Sequence, residues 1–164
     1  MGIFGKSKAQ QVEEATNSFV GLLSQHVATV PPVLASLEQF NLETVTADTR
    51  RVLNFIFQAC VDGKVDKNLG QVSGTLLGNL FIDMALTDAL PMTPEEAASY
   101  TLDSARGVRA IQNLATQLSR PDVAESIQRI GSLWCGDWLA KENGKQAIMY
   151  LSGADEADVL CLLA

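Results

Sequence analysis

With 164 residues, 47% of them hydrophobic and 19% charged, the chain has enough apolar surface for one domain and lacks the profile of a disordered polymer. Its formal charge of −7 is uneven: six Lys/Arg stand against seven Asp/Glu in residues 1–82, and six against twelve in residues 83–164. Nucleic-acid affinity comes mainly from neutralising phosphates and anionic membranes repel like charge, so neither is expected as a partner, whereas an acidic half suits a protein with a basic surface.

Residues 1–8 read as a flexible, basic arm ahead of a single helical domain over 9–164. From Ala9, the residues Val12, Ala15, Phe19, Leu22, Leu23, His26 and Val30 recur at three- and four-residue steps, the period of one helix face. Pro31–Pro32 ends that helix. A short helix is expected over 33–40. The connector "NLETVTAD" holds Thr46 and Asp48, either of which could cap a third helix running to about Val61, with Val52, Leu53, Ile56, Phe57 and Cys60 inward. In "DGKVDKN", Gly63 stands where a left-handed residue is wanted. A fourth helix is predicted from Asn68 to Ala89.

"PMTPEE" is the clearest boundary: Thr93 as N-cap, Pro94 at the first helical position and Glu96 completing a capping box. The fifth helix follows, from Pro94 to about Ser119. A sixth begins at Pro121, capped by Ser119 or Arg120, and carries Val123, Ile127, Ile130, Trp134 and Trp138 on one face. "KENGK" is expected to end it. Residues 147–164 read either as two short helices or as a hairpin around "GADEAD"; alanine, leucine and methionine favour helices. The fold class expected is all-α, a single compact bundle of six to eight helices.

The longest apolar stretch, Leu69–Leu90, contains Gln71, Asn79, Asp83 and Asp88, too polar for a lipid-facing span. No apolar leader pattern follows "MGIFGKSKAQQVEE", and three widely spaced cysteines make no disulfide framework, so a cytoplasmic location is expected.

"SLWCGDWLA" (132–140) resembles a redox or metal motif, yet Trp134 and Trp138 are four apart on the apolar stripe, so the segment is expected to be core, with one indole edge left for a partner. Gly70, Gly74 and Gly78 form a row in the fourth helix. Each glycine costs a helix roughly 1 kcal/mol against alanine, so close packing by another helix, or a homodimer seam, is expected to offset them. "CVDGKVDKN" lacks the alternating oxygens and terminal Glu of a calcium loop and reads as a polar turn. His26 is the one histidine, without a zinc-ligand spacing around it. Arg106 and Arg109 share a helix face with Asp103. Phosphate loops, nucleophile elbows and paired carboxylates are absent, so no catalytic, metal or cofactor-binding residue is nominated and no cofactor is expected.

The functional expectation is a non-enzymatic interaction module of bacterial cytoplasmic type: an adaptor, chaperone or immunity-like partner of a more basic protein. Its candidate interface is Trp134, Trp138, Asp155, Glu156 and Asp158. The alternatives are a bundle holding a small ligand or metal in its core, and an enzyme using Cys135 or surface carboxylates.

Overall fold

A computed structural model describes residues 5–27, 42–85 and 91–163. Among these the protein forms seven α-helices and no strand. They are α1 (Lys8–Val27), α2 (Leu42–Val61), α3 (Lys67–Ala85), α4 (Pro94–Gln117), α5 (Pro121–Ala140), α6 (Glu142–Tyr150) and α7 (Gly153–Leu160), followed by a 3-10 turn over Cys161–Leu163. The all-α bundle expected from the sequence is what forms. The short helix expected over 33–40 and the residues that would extend α3 past Ala85 lie outside the described residues.

Helix α5 is the hub. Its stripe of Val123, Ile127, Ile130, Trp134 and Trp138 is buried and packs on α2, α3, α4 and α6. Around it stand Val52, Leu53 and Ile56 of α2, Leu77 and Leu80 of α3, and Ala105, Val108 and Ile111 of α4. Trp134 alone, fully buried, removes on the order of 150–250 Å² from water, an upper-bound gain of about 4–6 kcal/mol. Helix α4 has a second neighbour. Ala97 and Ala98 pack on Ala147 of α6, Arg106 reaches Asp155 of α7, and Arg109 reaches Cys161. The chain from 142 to 163 therefore runs along α4 in the same direction.

Local signals fix several boundaries. Ser7 and Gln10 form a capping box on α1, with Gln10 N–H donating to Ser7 Oγ at 3.2 Å and Ser7 N–H to Gln10 Oε1 at 3.0 Å. Thr93 and Glu96 do the same on α4, at 3.1 and 2.9 Å. Gly63 adopts φ 70° after α2, as its position suggested.

Two expectations need correction. Helix α2 begins at Leu42, so Thr46 and Asp48 are interior residues and not caps. Ser119 takes a left-handed φ of 58°, and Arg120, although it stands at the cap position of α5, makes no side-chain cap bond. "KENGK" ends α5 as expected, at Lys141, and α6 begins within it at Glu142. That corner is tight enough that a Cβ on Gly144 would overlap the Trp138 carbonyl. Residues 147–163 follow the helical reading, not the hairpin.

Candidate functional site

The tryptophan segment belongs to the interior. Trp134 is 0% and Trp138 4% exposed. Their rings stack 6.0 Å apart, and Tyr100 lies tilted 5.3 Å from Trp138. Both indole N–H groups are satisfied within the fold: Trp138 Nε1 donates to Thr101 Oγ1 at 2.7 Å and Trp134 Nε1 to Asp83 Oδ2 at 3.2 Å. The expectation that an indole edge serves a partner is corrected, because the i, i+4 spacing turns both rings onto α4 and α3.

Beneath the rings lies a polar network. Tyr100 donates its hydroxyl to Asp83, and Lys141 donates to the Asp83 carbonyl. Lys141 also pairs with Asp137 at 2.9 Å. Burial pushes the Asp83 carboxyl above its ordinary pKa, despite the hydrogen bonds from Tyr100 and Trp134 and the charge of Lys141. Asp137 is raised for the same first reason, against its bond to Lys141. Tyr100 is raised by burial and by Asp83. Through these bonds the network ties α3, α4 and α5 together.

A second network was missed by sequence reasoning. Asp48 is 3% exposed. It accepts from Arg129 at 2.7 and 2.8 Å, from Ser126 at 2.9 Å and from Arg51 at 3.2 Å. Burial would raise its pKa, but the hydrogen bonds from Arg129 and Ser126 and the two guanidinium charges outweigh it, so the carboxyl sits below its usual range. The available signal was that Asp48 falls four residues before Val52, on the apolar stripe of α2. Beside Arg129, an open groove of about 460 Å³ runs between α4 and α5, walled in part by Gln112, Gln128 and Glu125.

The acidic tail is partly neutralised by its own chain. Arg106 lies 3.3 Å from Asp155 and 3.8 Å from Asp158, while Glu156 meets no cation among the described residues. Other cations of this half are also engaged: Arg120 with Asp122 at 3.0 Å, Arg129 with Asp48, and Lys141 with Asp137. Glu95 and Asp103 are exposed on α4 and meet no cation among the described residues. On the neighbouring elements Met149 is 87% and Tyr150 56% exposed, and Leu160 and Leu163 also face outward.

Within the chain Gly70 and Gly74 are not packed alike. A Cβ on Gly70 would collide with Cys60 Sγ, whereas one on Gly74 would meet nothing within 4 Å. Close approaches also occur elsewhere, at Gly107 against Leu76 and at Gly131 against Val108. Asp66 caps α3 by accepting from Leu69 N–H at 2.7 Å, and Asp62 accepts from Gln58 at 3.0 Å; both belong to a polar turn. His26 falls on α1, and its side-chain surroundings lie outside the described residues. Among the described residues no group of three His, Cys, Asp or Glu could hold a metal ion, and no helix is long and apolar enough to cross a membrane. Comparison with protein-family models, with curated proteins and with solved structures finds no match to this chain.

Proposed function

We propose that this protein is a non-enzymatic interaction module that binds a more basic protein through the side formed by α4, α6 and α7. The observation that carries this reading is the division of charge. In the C-terminal half Arg106, Arg120, Arg129 and Lys141 are committed to internal carboxylates. The carboxylates of Glu95, Asp103 and Glu156 are left over on adjoining helices.

Exposed apolar groups stand on the same elements. Met149 and Tyr150 end α6, and Leu160 and Leu163 lie at the end of α7 and just beyond it. An apolar centre with a charged rim is the usual anatomy of a protein-binding patch. The carboxylates would steer encounter, and the apolar side chains would supply most of the affinity. An adaptor, chaperone or neutralising partner of bacterial cytoplasmic type fits these terms.

The test is capture from the native host, comparing the wild-type protein with Met149→Glu/Tyr150→Ala. The proposal expects a stoichiometric basic partner held by the wild type and lost with the variant. Equal capture by both proteins, or no stoichiometric partner, would refute it.

A further inference from the structure

Cys135 and Cys161 are 26 positions apart in the sequence, yet the fold brings their thiols to consecutive carbonyls at the end of α7. Cys135 Sγ on α5 lies 3.7 Å from the Val159 carbonyl. Cys161 Sγ lies 2.9 Å from the Asp158 carbonyl. Burial pushes the Cys135 thiol up to about 11, and the nearby Cys161 adds to the rise. The surroundings differ in a way that assigns separate roles. Cys161 is half-buried at the edge of the fold, and Arg109 Nη2 lies 2.7 Å from its sulfur. The guanidinium holds the sulfur by a hydrogen bond at the surface of the fold, where a small oxidant can reach it. Cys135 is fully buried and out of reach of reagents in solution. Cys60, the third thiol, lies apart in α2 against Gly70.

We propose that Cys161 and Cys135 form a peroxide-sensitive thiol pair, with Cys161 the attacking thiol and Cys135 the resolving one. The Cys161 sulfur attacks one oxygen of hydrogen peroxide and the O–O bond breaks, giving Cys161 sulfenic acid and one water. The Cys135 sulfur then attacks the sulfenic sulfur, the S–O bond breaks, and a second water leaves with the Cys135 proton. Two thiols are thus oxidised by two electrons and one peroxide is reduced to two waters. A dithiol reductant reverses the bridge. Cys161 lies in the terminal 3-10 turn between buried Val159 and Leu162, and the bridge requires its side chain to leave the Asp158 carbonyl for disulfide geometry with Cys135.

The experiment treats the folded full-length protein with hydrogen peroxide and reads intact mass, followed by tryptic mapping without reductant. The expected product is about 2 Da lighter, is restored by dithiothreitol, and yields a linked pair of peptides covering 130–141 and 146–164. Cys161→Ser abolishes the product. Arg109→Ala, at an exposed position, removes the hydrogen-bond donor that orients the Cys161 sulfur and slows the reaction about 5- to 10-fold. Cys135→Ala instead accumulates sulfenic acid on Cys161, detectable with dimedone. Oxidation of Cys161 to sulfinic acid with Cys135 still free, a bridge through Cys60, or no reaction in the wild-type protein would each overturn the proposal. An unchanged rate in Arg109→Ala would remove the guanidinium from it.

Discussion

Arg129 of α5 closes a bidentate pair on Asp48 of α2, with bonds of 2.8 Å from Nε and 2.7 Å from Nη2 across 81 residues of sequence. Fork-to-fork pairing of this kind fixes direction as well as distance. It joins the helix that carries the tryptophans to the N-terminal half of the bundle, and Ser126 and Arg51 complete the shell around the same carboxylate.

Replacing Asp48 with alanine leaves Ser126 without its acceptor and two guanidinium groups without their anion. Arg51 and Arg129 are 40% and 49% exposed in their side chains and can turn to water, so the loss is smaller than for a wholly buried pair. The expected cost is about 2 kcal/mol, which lowers the urea midpoint by about 1 M. An unchanged midpoint would mean that the pair adds geometry without stability.

The buried acids act in opposite senses with pH. The folded pKa of Asp48 is lowered, so its contribution is present above the ordinary carboxylate value and is lost as pH falls through the lower folded value. Asp83 and Asp137 are raised by burial. Each therefore opposes folding above its folded pKa, and this penalty is relieved as pH falls from there toward the ordinary value. Asp83→Asn keeps an acceptor for Tyr100 and Trp134 and removes the charge. It should be more stable than the wild type at neutral pH, and the gap should close as pH approaches 4, near the ordinary Asp value. Urea titrations of both proteins across that range check this; a gap that stays constant with pH contradicts it.

Glycine substitutions should carry opposite signs along the chain. Gly74→Ala adds a methyl group where nothing lies within 4 Å and restores helix propensity, so a gain of about 0.5–1 kcal/mol is expected. Gly144→Ala drives a Cβ into the Trp138 carbonyl, a backbone atom that no rotamer change can move. The expected loss is on the order of 3 kcal/mol, with the α5–α6 corner opened. Thermal midpoints of the two variants should fall on either side of the wild type.

Much of the fold could be read from the sequence where the determinant was local. Thr93, Pro94 and Glu96 lie within four residues, and their capping box forms as written. The stripe from Val123 to Trp138 needs only the helical period to be recognised, and all five of its members are buried. Asp48 escaped because its meaning depends on Arg129, far along the chain; taken locally, an Asp in a polar connector looks like a cap. Asn143–Gly144 escaped for the converse reason: Asn-Gly is a local turn signal, and only the overlying Trp138 carbonyl reveals why a helix needs a bare Cα there. The acidic tail shows the same limit. The i, i+3 spacing of Asp155 and Asp158 and that of Arg106 and Arg109 were both legible, but not that Arg106 meets both acids while Arg109 meets Cys161. The three glycines looked equivalent because helix cost is a property of the residue, whereas what offsets it is a property of its neighbours.

The most direct test of the proposed interaction surface is a salt titration of partner capture with a charge-reversed protein. Glu95→Lys/Asp103→Lys/Glu156→Lys breaks no ion pair of the described fold, so its stability should fall only by the helix-terminus contributions of Glu95 and Glu156, about 0.3–1 kcal/mol each. If the uncommitted acids of α4 and α7 guide a basic partner, the wild type retains it at low ionic strength and releases it progressively as salt screens the surface, while the reversed protein fails to retain it at any salt concentration. Retention of the same partner by both proteins, with the same salt dependence, would contradict the account.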